Sequence, residues 1–355
     1  MTDYLHRIPM AELHVHLRGM LQPDVFMELM MKHGKSRPWL RAPARHREIF
    51  NRCSNIADFI RRTDWNDGTI ESLFRFRTFD QFLATWCFTG YLIRDIDDFT
   101  LLVHGALDYL NNENVTYAEI TVSPSEYLSD EVCLPELIEI LDSVSSQSPV
   151  HVQWIFDLVR DNGPKRTGLL LNDIMENHAN SIVGITLGGT EHRFPPAQYK
   201  DIYREAGRKG LRLTVHAGES LGPESVWDAI KLLGVDRIGH GVRAVEDPEL
   251  MNYLAEHQIP LEICPTSNIC TGLYDSYEEH PMKMLFDHGI PITVNSDDPA
   301  FFKTTVHTEL FYASSVGFSG RDLLQIVMNG FRYAFIDDEL KQSYTAGITD
   351  LFTML

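Results

Sequence analysis

Eight short apolar runs, each closed by polar, glycine or proline residues and each followed by a helix-like stretch, constrain this chain more than any other feature. They are Glu12–Leu17, Tyr117–Val122, Val150–Val159, Ile182–Leu187, Leu211–His216, Arg237–Val242, Pro260–Cys264 and Pro291–Asn295. Amphipathic stretches such as Ser225–Leu233 and Asp247–Glu256 lie between them, and Pro248 falls where a first-turn proline sits. Alternating strands and helices favour a parallel sheet, because parallel neighbours need a crossover between them. Eight repeats suit closure of that sheet into an α/β fold, the (β/α)8 TIM barrel. A chain of 355 residues with 44% hydrophobic residues can fill such a core, so residues 1–355 read as one barrel domain.

The spacing departs from regularity once. Residues 23–110, between the first two runs, read as a helical insertion: Pro23–Lys32, Ile56–Arg62, Phe74–Trp86 and Asp95–Leu110. The insertion leaves the first strand at its C-terminal end, the catalytic face of such barrels, where it can wall or cover a pocket. Phe76, Phe79, Phe82 and Trp86 recur mainly at helical spacing, which serves either packing on the barrel or contact with a substrate.

A formal charge of −19 argues against duplex nucleic acid and anionic membrane surfaces as partners and says nothing specific about the reaction. The five cysteines contain no Cys-x-x-Cys pair, so neither a disulfide framework nor a thiolate zinc site is indicated. The N-terminal residues lack a signal-peptide pattern, and no run approaches the roughly 18 apolar residues of a membrane helix. These features lead us to expect a cytoplasmic protein. Its oligomeric state stays open.

The chemistry sits at the ends of the runs. His14 and His16 stand at i and i+2 of a strand, so both imidazoles share one face while Leu13, Val15 and Leu17 take the other. His216 closes the fifth run, with Glu219 three residues on; His240 closes the sixth; Asp297 and Asp298 follow the eighth. Alone, Asp298-Pro299 is a turn and Glu219 a solvated loop carboxylate. A barrel gathers all of them at one mouth, and only a shared ligand accounts for that grouping. Imidazole nitrogens with carboxylate oxygens suit Zn²⁺ among the common metals.

These motifs resemble the adenosine deaminase family of the amidohydrolase superfamily. The matching segments are Glu12-Leu13-His14-Val15-His16-Leu17, Thr214-Val215-His216-Ala217-Gly218-Glu219, Arg237-Ile238-Gly239-His240-Gly241-Val242, Cys264-Pro265-Thr266-Ser267-Asn268 and Asn295-Ser296-Asp297-Asp298-Pro299. The resemblance implies one Zn²⁺ per chain, held by His14, His16, His216 and Asp297. Two-metal members of the superfamily use a carboxylated lysine on the fourth strand, and Ile182–Leu187 has none. It further implies Glu219 as the acid that protonates purine N1, and His240 as the group that positions or deprotonates the attacking water. Asp298 would bond N7, and Gly189, in Ile185-Thr186-Leu187-Gly188-Gly189-Thr190-Glu191, would offer its N–H to N3. The substrate is then a purine nucleoside, deaminated hydrolytically at C6 to the 6-oxo purine and ammonia. Zinc lowers the pKa of water toward about 7, and attack at C6 drives electrons to N1, where an acid removes the developing charge.

The chain departs from this family at one place that matters. Nucleoside-deaminating members carry an acidic residue after His-x-His-Leu to meet the ribose 5′-hydroxyl; here Arg18 follows Leu17. Thr186 and Thr190 also stand where the family loop usually has Asp. A guanidinium cannot accept a hydrogen bond, and it suits a carboxylate or phosphate. We therefore expect a 5′-modified nucleoside, aminofutalosine above others, with Arg18 reading its anion. The alternative is that Arg18 pairs with a protein carboxylate such as Glu12 or Asp24. Adenosine or free adenine remain alternative substrates, and an amide or lactone hydrolase is the alternative reaction; the missing fourth-strand lysine and the His-Ala-Gly-Glu segment speak against the last.

Overall fold

Strands that read as nearly continuous apolar runs must be covered on both faces, and a ring of parallel strands inside a ring of helices does this. The computed structural model describes residues 8–62, 65–76, 78–130, 132–177 and 179–353. Its strands are β1 (Met10–His16), β2 (Val115–Val122), β3 (His151–Asp157), β4 (Ile182–Thr186), β5 (Arg212–Ala217), β6 (Arg237–His240), β7 (Leu261–Ile263) and β8 (Ile292–Val294). All pair in parallel and in chain order, giving the (β/α)8 barrel expected from the sequence. β7 and β8 are short and begin directly after Pro260 and Pro291, which lack an N–H.

The ring closes between β8 and β1 just past the end of β8. Val15 bridges Asp297: His16 N donates to Asp297 O at 2.9 Å, and Asp297 N to His14 O at 3.1 Å. Leu13 N also donates to Asn295 Oδ1 at 2.9 Å. Closure thus fixes two candidate site residues on β1 against one after β8.

The interior is partly ionic. Arg237 on β6 bonds Glu119 on β2 and, at 2.6 Å, Glu262 on β7. β2 and β6 stand on opposite sides of the eight-strand ring, so this pair spans it. All three side chains are buried, and Arg237 Nη1 also donates to Tyr333 O at 2.8 Å.

The insertion forms the helices Pro23–His33, Ala44–Arg52, Ser54–Ile60, Asp67–Leu73, Phe79–Gly90 and Ile96–Asn112. The helix expected over Phe74–Trp86 is interrupted. One helix ends at Leu73 and the next starts at Phe79, because Thr78 takes extended backbone and its hydroxyl caps Gln81 N. The stretch expected over Ser225–Leu233 starts earlier, at Pro223, and its last turn, Ala229–Leu233, is a π-helix. Helix Pro248–His257 begins with proline in its first turn, capped by Asp247. After β8, helices Val306–Ser315, Gly320–Arg332 and Asp338–Thr353 complete the chain, the second packing on β8 and β1. No helix among the described residues is long and apolar enough to cross a membrane, and the five cysteines form no disulfide.

Candidate active site

The C-terminal ends of β1, β5, β6 and β8 bring the candidate residues together. His16 Nε2 lies 3.3 Å from His216 Nε2 and 3.3 Å from Asp297 Oδ1, and His14 Nε2 lies 3.5 Å from the same oxygen. His14, His216, His240 and Asp297 each offer a donor atom within 4.8 Å of the others, and His16 joins through His216 and Asp297. His240 Nε2 is 3.8 Å from Glu219 Oε2 and 3.9 Å from Asp297 Oδ2.

The backbone is bent to achieve this. His240 (φ 59°) and Asp297 (φ 63°) both hold left-handed conformations, a cost of order 1–3 kcal/mol each that clusters at functional sites. Gly239 lets β6 approach β1, since a Cβ there would stand 2.7 Å from His14 Cε1.

The donor set fits a divalent cation. His14 Nε2 is buried with no hydrogen-bond partner, an arrangement that costs free energy unless a ligand satisfies it, and His216 presents Nε2 to the same cluster. Three imidazoles and a carboxylate with converging lone pairs suit Zn²⁺. Glu262 Oε2, 2.8 Å from His14 Nδ1, fixes that ring so that Nε2 faces the cluster.

The electrostatics divide the groups by role. Burial, then the charges of Asp297 and Glu191, push Glu219 up to about 8, so its carboxyl keeps a proton at neutral pH. Burial and the Asp297 charge likewise raise Asp298, whose Oδ1 is buried and unpartnered. Burial holds His240 down to about 4 and lowers His216 as well. Burial also disfavours charge on His14, but the neighbouring Asp297 and Glu262 carboxylates outweigh it and hold His14 up to about 10.

The loop carrying Glu219 is pinned by Glu191, to which sequence reasoning gave no role. Its buried carboxylate accepts from Gly218 N, Ser220 N and Leu221 N, each at 2.8 Å, and from the Ser225 hydroxyl. Gly189 sits on the facing loop at φ 98°, where a Cβ would come within 2.3 Å of Asp161 Oδ2. Its neighbours are occupied: Gly188 N donates to Asp157 Oδ1 at 2.8 Å and Thr190 N to Asp161 Oδ2 at 2.7 Å. Among the described residues none accepts from the Gly189 N–H, which stays available to a ligand.

Arg18 is only 4% exposed, and its partner is neither Glu12 nor Asp24. Its Nη2 donates to Glu126 Oε1 at 2.9 Å, and its guanidinium carbon lies 4.1 Å over the Trp86 ring. Trp86 Nε1 donates to the same Glu126 oxygen at 3.3 Å. Half-buried Trp86 stands 6.1 Å from the His16 ring, and Phe82 stacks against Phe302 beyond it, so helix Phe79–Gly90 walls the site as well as packing on it. The Phe79 side chain lies outside the described residues.

The adenosine deaminase family model matches residues 66–351. The aminodeoxyfutalosine deaminase of Streptomyces avermitilis is 32% identical over 360 residues, covering 99% of this chain and 93% of that protein. Among solved structures, an adenine deaminase from Arthrobacter aurescens superposes with a TM-score of 0.84 at 26% identity, covering 98% of this chain and 99% of that one. An amidohydrolase from Burkholderia ambifaria with bound zinc gives 0.83 at 26% identity, covering 99% and 93%. A shared barrel, the site grouped at its mouth and an identity sustained over nearly the whole length lead to one conclusion: this chain belongs to the adenosine deaminase family.

Proposed function

We propose that this protein hydrolytically deaminates the 6-aminopurine of a 5′-modified adenine nucleoside of the aminodeoxyfutalosine type. The observation that carries the reaction is the placement of the Glu219 carboxyl 3.8 Å from His240 Nε2, beside a buried cluster of imidazoles and Asp297 that could hold a cation. Burial and the neighbouring carboxylates raise Glu219, which favours its protonated form. His14, His16, His216 and Asp297 would hold Zn²⁺, as the zinc-bound structural relative supports. Bound there, the ion supplies the Lewis acidity that makes water a nucleophile near neutral pH. Glu219 gives its proton to ring N1 as electrons move there, and Asp298, raised by burial and Asp297, can donate to the acceptor N7. The Gly189 N–H is free to meet N3. His240 holds the attacking water.

The 5′ assignment rests on the nearly full-length relative that acts on aminodeoxyfutalosine and on the arginine at position 18. Because Glu126 already neutralises Arg18, a substrate anion must compete with that carboxylate. The test is a panel of adenine, adenosine, AMP, methylthioadenosine and aminodeoxyfutalosine with zinc-loaded enzyme, read by ammonia release and the purine absorbance change. Preference for the anionic 5′-extended member supports the reading. Equal turnover of adenosine reduces Arg18 to a structural ion pair, and silence across the panel overturns the deaminase assignment.

A further inference from the structure

His240 is reached from behind by hydrogen bonds whose direction is fixed at their far end. Met282 N, a backbone donor, points at His280 Nδ1 at 3.2 Å, so that nitrogen must accept and the proton of His280 sits on Nε2. His280 Nε2 lies 3.1 Å from Asn268 Oδ1 and donates to it. The amide is thereby oriented, and its Nδ2 faces His240 Nδ1 at 3.3 Å. An amide nitrogen can only donate, so His240 Nδ1 accepts and its own proton is placed on Nε2. Asn268, His280 and His240 are all buried, which leaves water little access to reverse the chain.

We propose that Asn268 and His280 are positioning residues that lock His240 in the Nε2–H tautomer, so that it presents a hydrogen-bond donor, not a basic lone pair, to the reacting oxygen. The Nε2–H points into the gap bordered by Glu219 Oε2 at 3.8 Å and Asp297 Oδ2 at 3.9 Å. Both distances are too long for a direct bond, and an oxygen seated beside these three atoms could bridge them. A neutral imidazole of this tautomer holds a water there through the water's lone pair and cannot accept its proton at Nε2. Burial, which keeps His280 at about 3, agrees with neutral rings throughout the chain. The assignment of that oxygen as the attacking water rests on the deaminase reading; the tautomer does not.

Zinc-loaded enzyme with ¹⁵N-labelled histidine, examined by long-range ¹H–¹⁵N correlation, reads the tautomer directly, His240 being identified by the signal lost in His240→Gln. The expected spectrum has the His240 proton on Nε2 in the unmodified protein. Asn268→Asp replaces the donor with an acceptor and should move the proton to Nδ1, lowering kcat by about 10²–10⁴-fold with KM and zinc content unchanged. His280→Leu frees the amide and should give a mixture of tautomers with a smaller loss. A proton on Nδ1 in the unmodified enzyme, or an Asn268→Asp spectrum still showing Nε2–H, overturns the proposal. If no 6-aminopurine is turned over, the deaminase reading fails while the spectra still decide the tautomer.

Discussion

Glu219 illustrates how a residue acquires its chemistry from its neighbours. Its carboxyl is raised to about 8 by burial and by Asp297 and Glu191, so the protonated form needed at N1 dominates below that pH and is lost as pH rises through it. The basic limb of the kcat/KM profile should belong to Glu219, far above an ordinary carboxyl. Glu219→Gln, which keeps the shape without a proton to give, should cost about 10²–10⁴-fold in kcat while zinc content holds. Glu262→Gln tests the support behind His14; loss of that carboxylate should weaken zinc affinity about 10–100-fold in competition titrations with a chelator. At position 18, Glu126→Gln should raise the preference for a 5′-anionic substrate over adenosine by removing the competing charge, and Arg18→Ala should abolish that preference. Unchanged ratios in both variants would refute anion reading by Arg18.

At the scale of elements, the strands hold the site only because they are held to one another. Arg237 ties β6 to β2 and β7 through two buried carboxylates. Arg237→Met should destabilise the fold by about 3–5 kcal/mol in urea unfolding, since Glu119 and Glu262 would be left buried without a counter-ion. Much of this scale was legible beforehand. All eight runs became strands within a few residues of their expected bounds, because a buried apolar run between turn residues has few other options. Apolar spacing over Phe74–Trp86 suggests one helix because it continues through Thr78, but the Thr78 hydroxyl caps Gln81 N and the helix starts only at Phe79.

For the whole molecule, the closed ring and the cation cluster are coupled. Asp297 both joins β8 to β1 and contributes to the cluster, so ligand binding at the cluster reinforces barrel closure. Chelated protein should melt at a lower temperature than zinc-loaded protein. The stabilisation is about 2.7 kcal/mol when free zinc is a hundredfold above its Kd, visible by calorimetry. Coincident melting curves would mean that the cluster holds no ion in the folded state.

The sequence alone determined the barrel and the identity of the groups at its mouth. Strand periodicity aims His14 and His16 to one face, and strand ends in a parallel barrel converge whatever the details of packing. It could not determine what those groups meet. Glu126, Glu191, Glu262 and His280 are remote in sequence from the side chains they orient, and no local pattern marks the pairing. Only the tertiary structure decided that Arg18 faces Glu126, that Glu191 pins the Glu219 loop, and that His280 reaches His240 through Asn268. Local periodicity sets which way a side chain leaves the backbone, while long-range packing sets its partner, its burial and therefore its protonation.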